Sequence, residues 1–226
     1  MTQSPTSPFF KGVFFDLDGT LADTAPDLVA AANLLRSSRG LPELPYAELR
    51  PRASAGARGL IQGAFGFGPD HADFDALRDE FLNNYEKNIC IHSKLFDGMN
   101  ELLTRLEKER ISWGIVTNKI ERFTNPLLKL MGIDQRSQAN ISGDTTPFAK
   151  PHPAPILKAA ELCHLSPEQC LYVGDDLRDV EAGRAAGMKT VAAAYGYCGC
   201  DEPISEWGAD FIIHHPNELR AIIFSK

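Results

Sequence analysis

Gly12-Val-Phe-Phe-Asp16-Leu-Asp18-Gly-Thr20 is the stretch on which the fold turns. Its first half is a compact aromatic and β-branched run and its second half a carboxylate-rich turn, so it reads as a buried strand that stops abruptly. Runs of the same character recur at Ser112–Thr117, Cys170–Val173, Lys189–Ala193 and Asp210–Ile213, with a weaker one at Ala139–Ser142. Helical patterns lie between them at Gly98–Glu109, Arg122–Met131, Ala154–Leu162, Leu177–Ala186 and Asn217–Phe224. Gly132 and Gly187 stand just past two of these, where a left-handed residue stops a helix. Strands alternating with helices predict an α/β fold: a Rossmann-like, doubly wound parallel sheet covered by helices on both faces.

Residues 24–93 depart from the alternation. They hold only helical patterns, at Pro26–Arg39, Ala57–Ala64 and Phe74–Ile91. The expected organisation is an α/β core of residues 9–23 and 94–226, an inserted all-helical cap domain at 24–93, and a disordered lead-in at 1–8. Phe65, Phe67, Phe74 and Phe81 are expected to build the core of the cap. An insertion placed directly after the first strand hangs over the sheet edge where open α/β sheets bind ligands.

Composition narrows the function. The chain has 226 residues, 43% of them hydrophobic, and its 23 Lys+Arg against 30 Asp+Glu leave a net charge of −7. That balance argues against a nucleic-acid scaffold or a binder of anionic membranes. No apolar run approaches the roughly 18 residues of a membrane span, and residues 1–8 carry neither a basic nor an apolar segment of a secretory signal. Cys90, Cys163, Cys170, Cys198 and Cys200 are scattered and odd in number, and the six histidines lack metal-ligand spacing. A cytoplasmic protein with reduced thiols is the expectation, with Cys198 and Cys200 in a loop.

The polar residues that end the strands carry the chemistry. In a doubly wound sheet all strand C-termini share one edge. Asp16, Asp18 and Thr20, then Thr117 and Asn118, then Lys150, then Asp175, Asp176 and Asp179 can therefore converge. Five carboxylates packed together raise each other's pKa and oppose folding unless a cation neutralises them. An all-oxygen donor set with room for water suits Mg²⁺, and Lys150 adds positive charge for an anionic substrate. The expectation is a Mg²⁺-dependent phosphate-handling site.

The set Asp16-x-Asp18-Gly19-Thr20, Thr117, Lys150 and Gly174-Asp175-Asp176-x-x-Asp179 resembles the four motifs of the haloacid dehalogenase-like hydrolase superfamily, in order and over nearly the whole chain. The helical insertion is similar to the cap of the phosphoglycolate phosphatase-like branch. The resemblance implies a phosphatase in which Asp16 is the nucleophile and Asp18 the general acid and base. It further implies that Thr117 and Lys150 hold the phosphoryl group, with Gly19, Thr20 and Asn118 contributing to substrate binding. Asp16, Asp175 and the backbone carbonyl of Asp18 would bind Mg²⁺, supported from behind by Asp176 and Asp179. A sugar-phosphate mutase would keep the same motifs. A phosphoacceptor receiver domain also clusters such residues but is about half as long and has no cap.

Substrate choice is expected to lie in the insertion, because the motifs handle only phosphate. Arg50, Arg52 and Arg58 stand among small residues there, and Arg58 is the candidate for bidentate capture of a carboxylate. The runs His92–Gly98, Trp113–Lys119, Tyr195–Tyr197 and Trp207–Asp210 are more similar to the members acting on N-acetylmuramic acid 6-phosphate than to those acting on phosphoglycolate. The expected partner is thus a small phosphorylated metabolite bearing a carboxylate, bound by a monomer or weak homodimer.

Overall fold

The computed structural model describes residues 10–199 and 202–224. The expected lead-in and Cys200 lie outside the described residues. Strand β1 (Gly12–Phe15) is buried on both faces, and its alternation divides the interior. Val13 and Phe15 point into one core with Leu102, Leu106, Trp113 and Leu127, while Phe14 points into another with Ile156, Ala159 and Tyr172.

The main sheet is six-stranded and parallel, in the order β5 (Ala139–Ile141), β4 (Ser112–Val116), β1, β6 (Cys170–Gly174), β7 (Lys189–Ala193) and β8 (Phe211–Ile213). Helices α5 (Met99–Lys108), α6 (Glu121–Leu130) and α9 (Leu219–Phe224) cover the Val13 face. Helices α7 (Ala154–Leu162) and α8 (Leu177–Ala185) cover the Phe14 face. This is the expected doubly wound Rossmann-like sheet, with each strand ending within one residue of its predicted bounds. β1 lies between β4 and β6, so the crevice at which ligands gather opens at their C-terminal ends.

Between β1 and α5 the chain leaves the sheet. A two-residue antiparallel ribbon, β2 (Ala22–Asp23) with β3 (Lys94–Leu95), pairs the outgoing and returning segments. Helices α1 (Ala25–Ser37), α2 (Tyr46–Leu49), α3 (Gly56–Phe65) and α4 (Phe74–Lys87) follow, with a 3₁₀ segment at Arg50–Ala55. Their apolar faces enclose a separate cluster that includes Leu28, Leu35, Leu60, Phe74, Phe81 and Tyr85. Phe65 and Phe67 pack at its margin.

Three local features escape periodicity: the ribbon, α2 and the 3₁₀ segment are each too short to show a repeat. Helix α4 ends at Lys87 rather than Ile91, because the chain turns there to deliver the backbone N–H groups of His92 and Ser93 to the buried Asp27 carboxylate at 2.9–3.1 Å. The last predicted helix is split into a 3₁₀ turn, Pro216–Glu218, and α9. No helix of the described residues is long and apolar enough to cross a membrane.

Candidate active site

Asp16 follows the last residue of β1, and its backbone N–H still pairs with Val173 on β6. Its carboxylate therefore stands at the crevice. The turn that follows is tight: Gly19 has φ +85°, and a side chain there would fall on the Asp175 carboxylate. The turn's hydrogen bonds run from Ala22 N to Leu17 O and from Gly19 N to Ala22 O, and the Asp18 carbonyl takes no part in them.

Lys150 is the centre of the charge arrangement. Its Nζ lies 2.8 Å from Asp16, 2.6 Å from Asp179, 2.8 Å from the Val116 carbonyl and 3.0 Å from the Tyr172 hydroxyl. Both backbone polar atoms of Lys150 are clamped at 2.9 Å by the Asn118 amide. Asp16, Asp175 and Asp179 bring carboxylate oxygens within 4.8 Å of one another. Burial pushes Asp16 up from 3.8 to about 7, Lys150 pulls it back, and Asp179 and Asp18 reinforce the rise. Burial, with Asp16 and Asp179 beside it, likewise holds Asp175 well above the ordinary range. Three carboxylates around one ammonium leave excess negative charge in a buried place, and all the donors are oxygen. Those are the properties of a site that fits Mg²⁺.

Asp18 faces a different environment. Its carboxylate accepts from the Thr24 hydroxyl and pairs with Lys119 at 3.1 Å. Lys119 also donates to the Tyr85 hydroxyl of α4 at 3.2 Å. Burial would lower the Lys119 pKa, but Asp18 and Tyr85 hold it above the usual lysine value. Burial pushes the Tyr85 phenol up to about 12, so it stays neutral.

The cavity over these groups measures about 390 Å³. Asp16, Asp18, Thr117, Lys119, Lys150 and Asp175 form its floor, and Leu28, Phe81, Leu82, Tyr85 and Phe123 form an apolar wall. Residues 53–57 close one side. Ser54 donates its hydroxyl to Asp176, which caps α8 and is gripped by Arg178 at 2.7 and 2.8 Å. Burial works against the charge on Asp176, yet the Arg178 and Ser54 bonds bring it down to about 2.

The structure thus brings Asp16, Asp18, Thr117, Asn118, Lys150, Asp175, Asp176 and Asp179 together. It places three other expected residues elsewhere. Thr20 is fully buried behind the cluster, with its hydroxyl on Asp175 at 2.9 Å, and neither it nor Gly19 lines the cavity. Arg58 is exposed on α3 and also lies off the cavity. Arg52 is exposed too, and Arg50 is spent on the carbonyls of Gly196 and Tyr195 at 2.8 and 3.1 Å. The small residues of that segment approach the crevice, whereas its arginines do not. Arg178, which reads as a helix-surface partner of Asp179 or Glu181, instead binds Asp176 and the Ser54 carbonyl. Burial raises the Cys198 thiol to about 11, consistent with an inert loop cysteine.

Fold and site together define a family. The model of the haloacid dehalogenase-like hydrolases matches residues 13–193, and the chain is a phosphatase of that family. It is 44% identical to the N-acetylmuramic acid 6-phosphate phosphatase of Pseudomonas putida over 215 residues, covering 95% of this chain and 96% of the relative. It is 47% identical to the phosphoglycolate phosphatase of Xanthomonas campestris over 212 residues, covering 93% and 95%. The crystal structure of a predicted phosphoglycolate phosphatase from Haemophilus somnus superposes with a TM-score of 0.83 at 30% identity, over 95% of this chain and 98% of that one.

Proposed function

We propose that this phosphatase is a Mg²⁺-dependent phosphomonoesterase that works through an aspartyl-phosphate at Asp16, with N-acetylmuramic acid 6-phosphate as its substrate. The observation that carries the mechanism is the convergence of Asp16, Asp18, Thr117 and Lys150 on one cavity floor. The Asp16 carboxylate, oriented by Lys150 at 2.8 Å, attacks phosphorus while the bond from phosphorus to the leaving oxygen breaks. Asp18, a separate carboxylate on the same floor, delivers a proton to that oxygen. It then takes a proton from the water that attacks the phospho-enzyme, which frees Asp16 and inorganic phosphate. Thr117 accepts from the Lys119 backbone N–H at 3.1 Å, and its hydroxyl proton serves a phosphoryl oxygen.

Asp16, Asp175 and the Asp18 carbonyl would hold Mg²⁺, with Asp179 beside them. When bound, the ion supplies positive charge that neutralises the carboxylates and the phosphoryl oxygens. The helices of residues 24–93 act as the cap, shielding this chemistry from bulk water.

The substrate reading is supported by the Pseudomonas relative and by the cavity. A volume of about 390 Å³ with an apolar wall suits a sugar carrying acetyl and lactyl methyl groups. Phosphoglycolate is the second reading, favoured by the Xanthomonas relative. Phosphate release from both substrates, compared by kcat/KM with Mg²⁺ and with EDTA, tests the proposal. A strong preference for phosphoglycolate overturns the substrate, and full activity in EDTA overturns the metal. Phosphate transfer within the substrate, without release, would identify a mutase.

A further inference from the structure

Among the described residues, three cationic side chains line the cavity: Lys119, Lys150 and Arg178. Lys150 is consumed by Asp16 and Asp179, and Arg178 by the Asp176 carboxylate and the Ser54 carbonyl. Lys119 differs. Its ammonium carries three N–H donors, of which one meets Asp18 at 3.1 Å and one the Tyr85 oxygen at 3.2 Å. Among the described residues nothing accepts the third, and nothing accepts the Tyr85 O–H.

Both groups are withdrawn from water, the Lys119 side chain being 9% exposed and Tyr85 1%. A donor held in such a place costs free energy unless an acceptor reaches it. Leu28, Phe81 and Phe123 around them offer none, so a substrate filling the cavity is the group placed to supply the acceptor. The position says which part of the substrate. The phosphoryl group belongs over Asp16 and Lys150, and Asp18 belongs beside the leaving oxygen. Lys119, bonded to Asp18, then lies against the atoms next to the scissile ester.

We propose that Lys119 and Tyr85 form a donor pair for an oxygen of the leaving group adjacent to the scissile ester, either a sugar ring or hydroxyl oxygen or the carboxylate of a small acid. The pair makes the enzyme specific for oxygen-rich leaving groups over hydrocarbon ones. This inference rests on the phosphomonoesterase reading. It assigns substrate recognition to the junction of core and cap, on Lys119 of the loop after β4 and Tyr85 of α4, in place of the exposed arginines.

The test compares wild type, Lys119→Met and Tyr85→Phe on N-acetylmuramic acid 6-phosphate, 2-phosphoglycolate and n-butyl phosphate, whose alkyl leaving group needs the same protonation by Asp18 but has no second oxygen. The readout is the ratio of kcat/KM on the better oxygen-bearing substrate to kcat/KM on n-butyl phosphate. Losing a charged donor should lower this ratio by about 10- to 100-fold in Lys119→Met, and losing a neutral one by about 3- to 10-fold in Tyr85→Phe. A greater loss on phosphoglycolate identifies a carboxylate at the pair, and a greater loss on the sugar phosphate identifies a sugar oxygen. If Lys119 serves only to hold Asp18, every substrate falls by the same factor, and an unchanged ratio overturns the proposal. Should Lys119→Met melt below the assay temperature, Tyr85→Phe, which keeps the ring and its packing, decides alone. Wild type inactive on all three substrates with Mg²⁺ defeats the phosphomonoesterase reading and this inference with it; an active wild type with unchanged ratios defeats the donor pair alone.

Discussion

Metal-dependent stability should grow with pH, and the carboxylate cluster sets by how much. Asp16 is raised from 3.8 to about 7, chiefly by burial, which Lys150 opposes and Asp179 and Asp18 reinforce. A group whose pKa is raised on folding contributes stability that is fully present below the unfolded value and is lost as pH rises through the folded value. Without metal, the protein should therefore lose stability between about pH 4 and pH 7 as Asp16 is forced to ionise. At 1.36 kcal/mol per unit, a rise of about 3 units corresponds to about 4 kcal/mol. Mg²⁺ favours the ionised carboxylates and should remove this loss, with Asp175, also held high by burial, coupled to Asp16. In a chain of this size about 4 kcal/mol corresponds to about 8–16 °C in Tm. The measurement is thermal unfolding by circular dichroism from pH 4.5 to 8, in Mg²⁺ and in EDTA. The Tm difference between the two series isolates the cluster, because all other titrating groups contribute equally to both. It should be near zero at the acid end and largest above pH 7. A difference that is flat across the range, or that shrinks as pH rises, would refute the reasoning.

Other perturbations read the same site. Asp16→Asn should fold normally and release no phosphate, and mass spectrometry should find no phospho-enzyme; phosphorylation at Asp18 or Asp176 would reassign the nucleophile. Lys150→Met leaves Asp16 and Asp179 buried without their common partner and should cost about 3–5 kcal/mol in denaturant unfolding, in EDTA; a cost below about 1 kcal/mol would contradict the buried ion pairs. Gly196→Ala would press a methyl group on the Asp175 side chain and the Gly19 carbonyl. It should destabilise by about 1–3 kcal/mol and weaken Mg²⁺ binding by calorimetry. Arg58→Ala should change kcat/KM by less than about 2-fold, as for an exposed charge; a 10-fold loss would restore the carboxylate role that its place in the sequence invites.

The strand ends could be located from sequence because Asp16, Thr117 and Asp175 each follow a compact apolar run, and parallel topology places all such ends on one edge. Lys150 is not at a strand end but in the loop between β5 and α7. What could not be read is who pairs with whom across the two halves of the molecule. Ser54 meets Asp176, Tyr85 meets Lys119 and Tyr197 meets Thr24, partners separated by 122, 34 and 173 positions. Nothing periodic marks them. Lys119 merely closes a run that reads as a strand and turn, and Tyr85 reads as one more apolar position on an amphipathic helix. Arg58 misleads for a related reason. Small residues do bring residues 53–57 to the crevice, but the helical phase of α3 carries Arg58 round to the solvent side.

Tyr197 gives the molecule an unusual fastening. Its phenol accepts from the Thr24 and Ala25 N–H groups at 2.8 Å and donates to Asp23 at 3.0 Å, while its own backbone N–H is bonded to Asp175 at 2.7 Å. Helix α1 thus begins without an N-cap side chain of its own, its first donors being met by a residue of the loop after β7. The consequence concerns exchange of parts. A foreign insert spliced in place of residues 24–93 must present two N–H groups to that phenol, or else leave its buried oxygen, whose own proton stays on Asp23, without the donors it accepts from, at a cost of about 1 kcal/mol. Because the strut carrying the phenol hangs from a member of the buried carboxylate cluster, the strain of a poor graft would reach Asp175 directly.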